Sequence, residues 1–347
     1  LEFRRVLFRS MTSDTNFDIN VVLENAMKKN PEEPSEDDFV RLCQHFQRYY
    51  STLPNLLSIT QPMTVVGSTH AQLDDIHELF DVCGAVPYTS YLFLGDFVNY
   101  GDRNIATVCL LFSLALKYPD HVYLLRGAHE SRRLTLVCGL YEEIINAYGS
   151  PRAWEALMDA FDSLPLAAQV CYQFFCLSGG IDKTIQKLNQ INEFNRFVEV
   201  PLNDSWSSLV WSIPKENIDD FKPIENRHGV FFGENQVNKF LTDNGLSCMI
   251  RSKQLCMNGN TPLFNNKCIT VWSAPNFCGW IQNAASVVQM TAQTSQFGQK
   301  SGSSQQTYTI NTFKARPESE RIEQNRPPFQ DVHSLDHIYI KHLPKLP

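Results

Sequence analysis

Five short apolar runs, beginning at Met63, Tyr91, Val122, Phe174 and Ile269, each break at a turn, four of them on a glycine (Gly67, Gly95, Gly127, Gly179). Apolar runs of this length, bounded by turn residues, read as buried strands. Between the first three the apolar spacing is helical. Strand and helix therefore alternate as 63–67, 71–83, 91–95, 103–117 and 122–126, the pattern of βαβ units in a mostly parallel layer. Upstream, residues 17–29 also have helical spacing. Ser35, followed by Glu36, Asp37 and Asp38, predicts an N-cap with acids at the positive end of the helix dipole. That helix runs through Phe39, Leu42, Phe46 and Tyr49. Downstream come a helical stretch over 139–162, a strand near 174–177 and a helix from Asn235 to Asn244. The strands at 247–251, 268–273, 286–290 and Thr307–Phe313 lack intervening helices, which predicts a second, more antiparallel sheet packed on the first. Residues 291–305 are Gln/Ser/Gly-rich and predict a flexible loop, and from Pro317 onward Pro and charge predict a loosely ordered tail.

Composition narrows the class. With 43% hydrophobic and 19% charged residues in 347, the chain has enough apolar matter for one large α/β domain. A net charge of -7 argues against nucleic acid as a partner, and the lack of any apolar stretch of about 18 residues argues against a membrane span. The 10 cysteines are irregularly spaced, form no C-x-x-C pair and several lie inside apolar runs. Buried, reduced thiols in a cytoplasmic or nuclear protein are expected. Residues 1–10 (LEFRRVLFRS) back-translate codon by codon to common sequencing-adapter DNA, whereas a targeting peptide needs a longer apolar or amphipathic run. Met11 is then the expected start, and removing three Arg and one Glu takes the net charge to -9. The domain is expected over 11–316, with the tail at 317–347.

The candidate chemistry sits where α/β proteins gather it, at strand carboxyl ends. The turns carry Gly67-Ser68-Thr69-His70-Ala71, Gly95-Asp96-Phe97-Val98-Asn99-Tyr100-Gly101, Gly127-Ala128-His129-Glu130 and Ser178-Gly179-Gly180. Taken singly, His70 or His129 reads as a structural histidine, and Asp96 as the cap of a turn.

Taken together, the segment from Tyr91 to Arg133 and the Ser273-Ala274-Pro275-Asn276-Phe277-Cys278-Gly279 run resemble the phosphoprotein phosphatase (PPP) family of serine/threonine phosphatases. The resemblance spans about 20–316. Asn146-Ala147-Tyr148-Gly149, Trp154, and the stretches 161–168 and 175–181 look closest to the type 2A branch. It implies a calcineurin-like metallophosphoesterase fold: α/β, a two-sheet β-sandwich flanked by helices, with a two-metal site at strand carboxyl ends. The family's reaction is hydrolysis of phosphoserine and phosphothreonine, with two metals about 4 Å apart activating the attacking water.

Position by position, the resemblance leaves little of that site. His70 and Asp96 match metal ligands. Ser68 stands for an aspartate, Ala128 for an asparagine, and Ser178 and Lys253 for histidines. His129 matches the general acid, but its orienting aspartate is Asn99. Tyr100 stands for one phosphate-binding arginine. Asn226 aligns with the other, which Arg227 replaces only by a one-residue shift. Phe277 lacks the hydroxyl of a family tyrosine. An ammonium at Lys253 repels a divalent cation and is expected to pair with Asp96 instead.

The sequence therefore predicts a catalytically impaired homologue, a pseudophosphatase acting as a binding or scaffold protein, with no cofactor or at most one weakly held manganese, iron or zinc. Expected partners are phosphatase scaffold or regulatory subunits or phosphoproteins. The alternative is a weak or atypical metal-dependent serine/threonine phosphatase.

Overall fold

The computed structural model describes residues 17–101, 103–202, 206–225, 227–291, 307–317, 319 and 321. The adapter-like residues 1–10, Asn226, the 292–305 part of the expected loop and nearly all of the expected tail lie outside them. Among the described residues, no helix is long and apolar enough to cross a membrane.

Strands β1 (Leu56–Ile59), β2 (Thr64–Val66), β3 (Tyr91–Phe93), β4 (Val122–Leu124), β5 (Ala167–Val170) and β6 (Phe174–Leu177) combine with later strands in one mixed sheet. The later strands are β10 (Cys248–Arg251), β11 (Asn258–Leu263), β12 (Cys268–Val271), β13 (Ala284–Thr291) and β14 (Thr307–Phe313). Their order is β1-β5-β6-β10-β12-β11-β13-β2-β3-β4, with β14 paired to β13. A small sheet of β7 (Ile213–Pro214), β8 (Lys222–Pro223) and β9 (Val230–Phe232) stands apart.

The helices are α1 (Ile19–Ala26), α2 (Glu36–Tyr50), α3 (Leu73–Cys83), α4 (Asn104–Lys117), α5 (Arg132–Val137), α6 (Leu140–Tyr148), α7 (Arg152–Asp162), α8 (Ser207–Trp211) and α9 (Glu234–Asp243). The expected cap of α2 forms, since the Asp38 N–H donates to Ser35 Oγ at 3.2 Å. Helix α4, apolar almost all round, is buried almost all round. The cysteines are all free, and only Cys278 is not buried.

The alternating segment forms the parallel unit that its pattern predicts. Val66, Phe93 and Leu124 lie side by side across β2, β3 and β4, so the three following turns start level with one another. Two glycines let those turns touch. A Cβ on Gly127 would lie 2.4 Å from Asp96 Oδ1, and one on Gly95, whose φ is +100, 2.3 Å from the Gly127 nitrogen.

The later strands depart from the expected antiparallel second sheet. β10 runs parallel to both β6 and β12, while β13 and β14 join the β2–β4 half. The reason is β11. It returns antiparallel to β12, so β12 can run parallel to β10 without a helical crossover. Through Asn258 and Gly259, β11 also pairs with β13, which makes the two expected sheets halves of one continuous path.

Candidate functional site

A cavity of ≈ 360 Å³ opens at these turns, with His70, Asp96, Tyr100, His129, Lys253 and Trp272 in its wall. The turns hold an unusual backbone. His70 (φ +46), Asp96 (+54), Asn99 (+71), Tyr100 (+65) and Lys253 (+74) are all left-handed, though none is glycine. Such conformations cost about 1–3 kcal/mol each and cluster at functional sites. Glu130 braces them from below: its buried carboxylate accepts the N–H groups of Asp96 (2.8 Å), Phe97 (2.9 Å) and Gly127 (2.8 Å).

The structure brings together the residues singled out in the sequence. The backbone N–H of His70 donates to the Asp96 carbonyl at 3.1 Å, and the His129 N–H to Asp96 Oδ1 at 2.9 Å. The His70 ring packs against Tyr100, His129, Trp272 and Phe277 with centroids 4.8–5.2 Å away. Burial lowers the His70 pKa to about 4 and holds that of His129 well below the ordinary histidine value. Burial works to raise the Asp96 carboxyl, yet it is held below the usual carboxylate range by Lys253, the two histidines and the His129 N–H. With both imidazoles neutral at pH 7, Lys253 carries the charge part of that effect.

Ser68, Ala128, Ser178 and Lys253, where the resemblance expects the other ligands, carry neither carboxylate nor imidazole. Ser68 Oγ lies 2.8 Å from Ser252 Oγ, and the Ser252 hydroxyl in turn donates to the Val271 carbonyl at 2.9 Å. Ala128 is fully buried in an apolar cluster. Ser178 Oγ is buried with no hydrogen-bond partner among the described residues. The Lys253 ammonium sits 4.2 Å above the Trp211 ring, a cation–π contact. Among the described residues, no three His, Cys, Asp or Glu side chains come together so as to hold a metal ion. One carboxylate and one imidazole beside an ammonium do not fit a divalent pair, because even a catalytic zinc usually takes three protein ligands.

Asn99 faces His129, with Nδ2 3.0 Å from the ring Nδ1, and its Oδ1 is buried with no hydrogen-bond partner among the described residues. An amide adds no charge to favour imidazolium, so His129 is a poor proton donor near neutrality. Asn99→Asp is therefore expected to raise the proton affinity of His129 by at least about tenfold, since a carboxylate in contact favours the charged ring. Histidine NMR titration of the variant against the parent reads this directly.

Arg227 lines the cavity and is exposed. Sequence reasoning missed Arg133, Glu199, Trp211 and His228, which line it as well. Glu199 accepts the N–H groups of Arg132 (3.0 Å) and Arg133 (3.3 Å) at the start of α5. Arg133 was visible at the end of the 91–133 segment, whereas Glu199 and Trp211 carried no local signal.

Comparison with known proteins adds the lineage. Residues 62–252 match the calcineurin-like phosphoesterase family. A PP2A-like serine/threonine-protein phosphatase of Candida albicans is 40% identical over 286 residues, covering 82% of this chain and 68% of that protein. A protein phosphatase 2A catalytic subunit of Dictyostelium discoideum is 38% identical over 265 residues, covering 76% of this chain and 81% of its own length. A solved serine/threonine phosphatase structure from Saccharomyces cerevisiae superposes with a TM-score of 0.74 at 27% identity, covering 82% of this chain and 92% of that one. The mixed, curled sheet with flanking helices is thus the calcineurin-like metallophosphoesterase α/β fold.

Proposed function

Because the chain belongs to the calcineurin-like phosphoesterases, among the PP2A-like serine/threonine phosphatases of the PPP family, we propose that it is a catalytically impaired member that binds rather than hydrolyses. The observation that carries this reading is Lys253. By the resemblance its ammonium stands at a histidine-ligand position, and it shares the cavity wall with Asp96, the one carboxylate at those positions, while seated 4.2 Å over the Trp211 ring. Ser68, Ala128 and Ser178 compound the loss, so the chain holds no divalent ion, or at most one weakly bound manganese, iron or zinc. Without metals the family's nucleophile is missing, and a single lost transition-state donor already costs about 10²–10³-fold in rate.

The Dictyostelium relative is named as a catalytic subunit, which supports protein partners here: scaffold or regulatory subunits of phosphatase complexes, or phosphorylated segments. Nucleic acid is not among them, given the net charge of -7. The free, mostly buried cysteines are in keeping with action in the cytoplasm or nucleus.

A second reading, a weak or atypical phosphatase, is favoured by the relatives, which are named as phosphatases or their catalytic subunits, and by the surviving contact between Asp96 and His129. Elemental analysis separates the two. After incubation with manganese and zinc and removal of free ion, near-zero metal per chain is expected, with phosphopeptide turnover at least about 10³-fold below an active relative. A stoichiometric, tightly held ion with turnover abolished by chelator would establish the second reading.

A further inference from the structure

We propose that the segment following β14 is an electrostatic strap, in which Arg316 and Arg321 clamp the acids of α3 and, through Asp75 and Gln72, hold the 274–283 turn that brings Phe277 to the cavity wall. The inference stands apart from the binding reading above, because it concerns what fixes that wall and needs no ligand.

The clamp is the first link. Asp75, Glu78 and Asp81 recur at intervals of three along α3, which sets them near one another on one side of the helix. Like charges so placed repel, and the chain leaving β14 brings the counter-charge. The Arg316 N–H donates to Asp75 Oδ1 at 3.0 Å, and its guanidinium reaches Glu78 at 3.1 Å and also Asp81. The Arg321 guanidinium pairs with the same Asp75 oxygen. Its Nε donates to the Arg316 carbonyl at 2.8 Å, so the two arginines hold each other as well as the helix.

Burial decides which contact carries the clamp. The Asp81 side chain is 69% exposed, so its pair is screened and adds little. Arg321 and Asp75 are 10% and 1% exposed, and such a pair is screened far less by salt. Removing the arginine would leave the Asp75 charge buried without its partner, which is costly.

The second link runs inward from the same carboxylate. Asp75 Oδ2 accepts from Gln72 Nε2 at 2.7 Å, and that nitrogen also donates to the Pro275 carbonyl at 2.8 Å. One buried amide, with a hydrogen for each acceptor, thus joins the clamp to the turn. The turn needs holding. Asn276 (φ +43) and Cys278 (φ +57) are left-handed without being glycine, a backbone that persists only where its surroundings over-determine it. Within the turn, the Phe277 N–H donates to Asn283 Oδ1 at 2.8 Å and the Gln282 N–H to Asn276 Oδ1 at 3.1 Å. Phe277 lies against His70, ring centroids 5.0 Å apart, and lines the cavity. Tension on the strap is therefore felt at the cavity through a path of three side chains: Arg321, Asp75 and Gln72.

The double substitution Arg316→Gln and Arg321→Gln in the full chain is the test. Trypsin cleavage at the exposed Lys314, read by mass spectrometry, reports release of the segment, and hydrogen exchange at the Phe277 and Gln282 amides reports the turn. Both are expected to speed up by at least about tenfold, as losing one buried charge-assisted hydrogen bond implies, while exchange in β2, β3 and β4 stays at the parent rate. Gln72→Met separates the two links: it is expected to speed exchange in the turn and leave cleavage at Lys314 unchanged. Should the double variant fold poorly, Arg316→Gln alone, which keeps the buried Arg321–Asp75 pair, gives the same readouts at smaller amplitude. Unchanged cleavage at Lys314 overturns the clamp. Faster cleavage with unchanged exchange in the turn overturns the coupling to the cavity. Exchange that rises equally in β2, β3 and β4 marks a general loss of stability and overturns the strap as well.

Discussion

A variant carrying Ser68→Asp, Ala128→Asn, Ser178→His and Lys253→His together is expected to bind manganese or zinc stoichiometrically, where the parent chain binds almost none. The physical basis is that the scaffold is already shaped for the ions. The turns at His70, Asp96, Asn99 and Lys253 are left-handed, and Gly95 and Gly127 allow the Asp96 turn to press onto the Gly127 turn. What is missing is lone pairs and negative charge. The four changes return a carboxylate, an amide and two imidazoles, and remove the ammonium that opposes a cation.

Single reversions are expected to fail. Lys253→His alone leaves too few ligands, and Ser178→His alone places a larger ring at a fully buried position with no ion to hold it. Elemental analysis and a metal-dependent rise in melting temperature, which specific binding to the folded state must produce, check the outcome. Turnover is expected to stay low until Asn99→Asp and Tyr100→Arg are added, because proton donation and phosphate clamping are separate losses. Absence of metal from the fourfold variant, if it is folded, would mean that the turns themselves have lost the geometry.

The largest loss of stability is expected from Arg126→Met. Arg126 is fully buried and makes four contacts: to the carbonyls of Glu130 (3.0 Å), Arg196 (2.8 Å) and Val198 (2.9 Å), and to Asp162 Oδ1 (2.6 Å). Methionine fills much of the volume but satisfies none of these acceptors. Breaking a buried ion pair from one side costs about 3–5 kcal/mol, measurable by urea denaturation. The carbonyls tie the turn after His129 to the 196–198 segment, next to Glu199 in the cavity wall. Arg126→Met is therefore also expected to loosen the cavity, seen as faster amide exchange at Arg132 and Arg133, whose N–H groups Glu199 accepts.

How far these features were legible differs from element to element. The β2–β3–β4 unit was readable because its strands are buried on both faces and its helices keep a regular period. The α2 cap was readable because Ser35 and three acids stand together in sequence. β1 and β5 were not, being four residues each, and β1 finds its partner, β5, only far along the chain. β11 (Asn258–Leu263) reads as a loop, since it contains a glycine and a proline and is largely exposed. It is nevertheless the strand that joins the two halves of the sheet.

The sequence by itself determined the fold class and which residues, Ser68, Ala128, Ser178 and Lys253, stand at the turns where the resemblance expects metal donors, because periodicity and residue identity are local properties. Only the tertiary structure decided what took their place. It set Lys253 on Trp211 and brought Arg133 and Arg227 to one cavity. It also closed that cavity's wall with Glu199, which meets α5 across more than sixty residues of chain. Electrostatics acts through space, so the charge of a site depends on which distant turns the sheet brings level, and no local pattern records that.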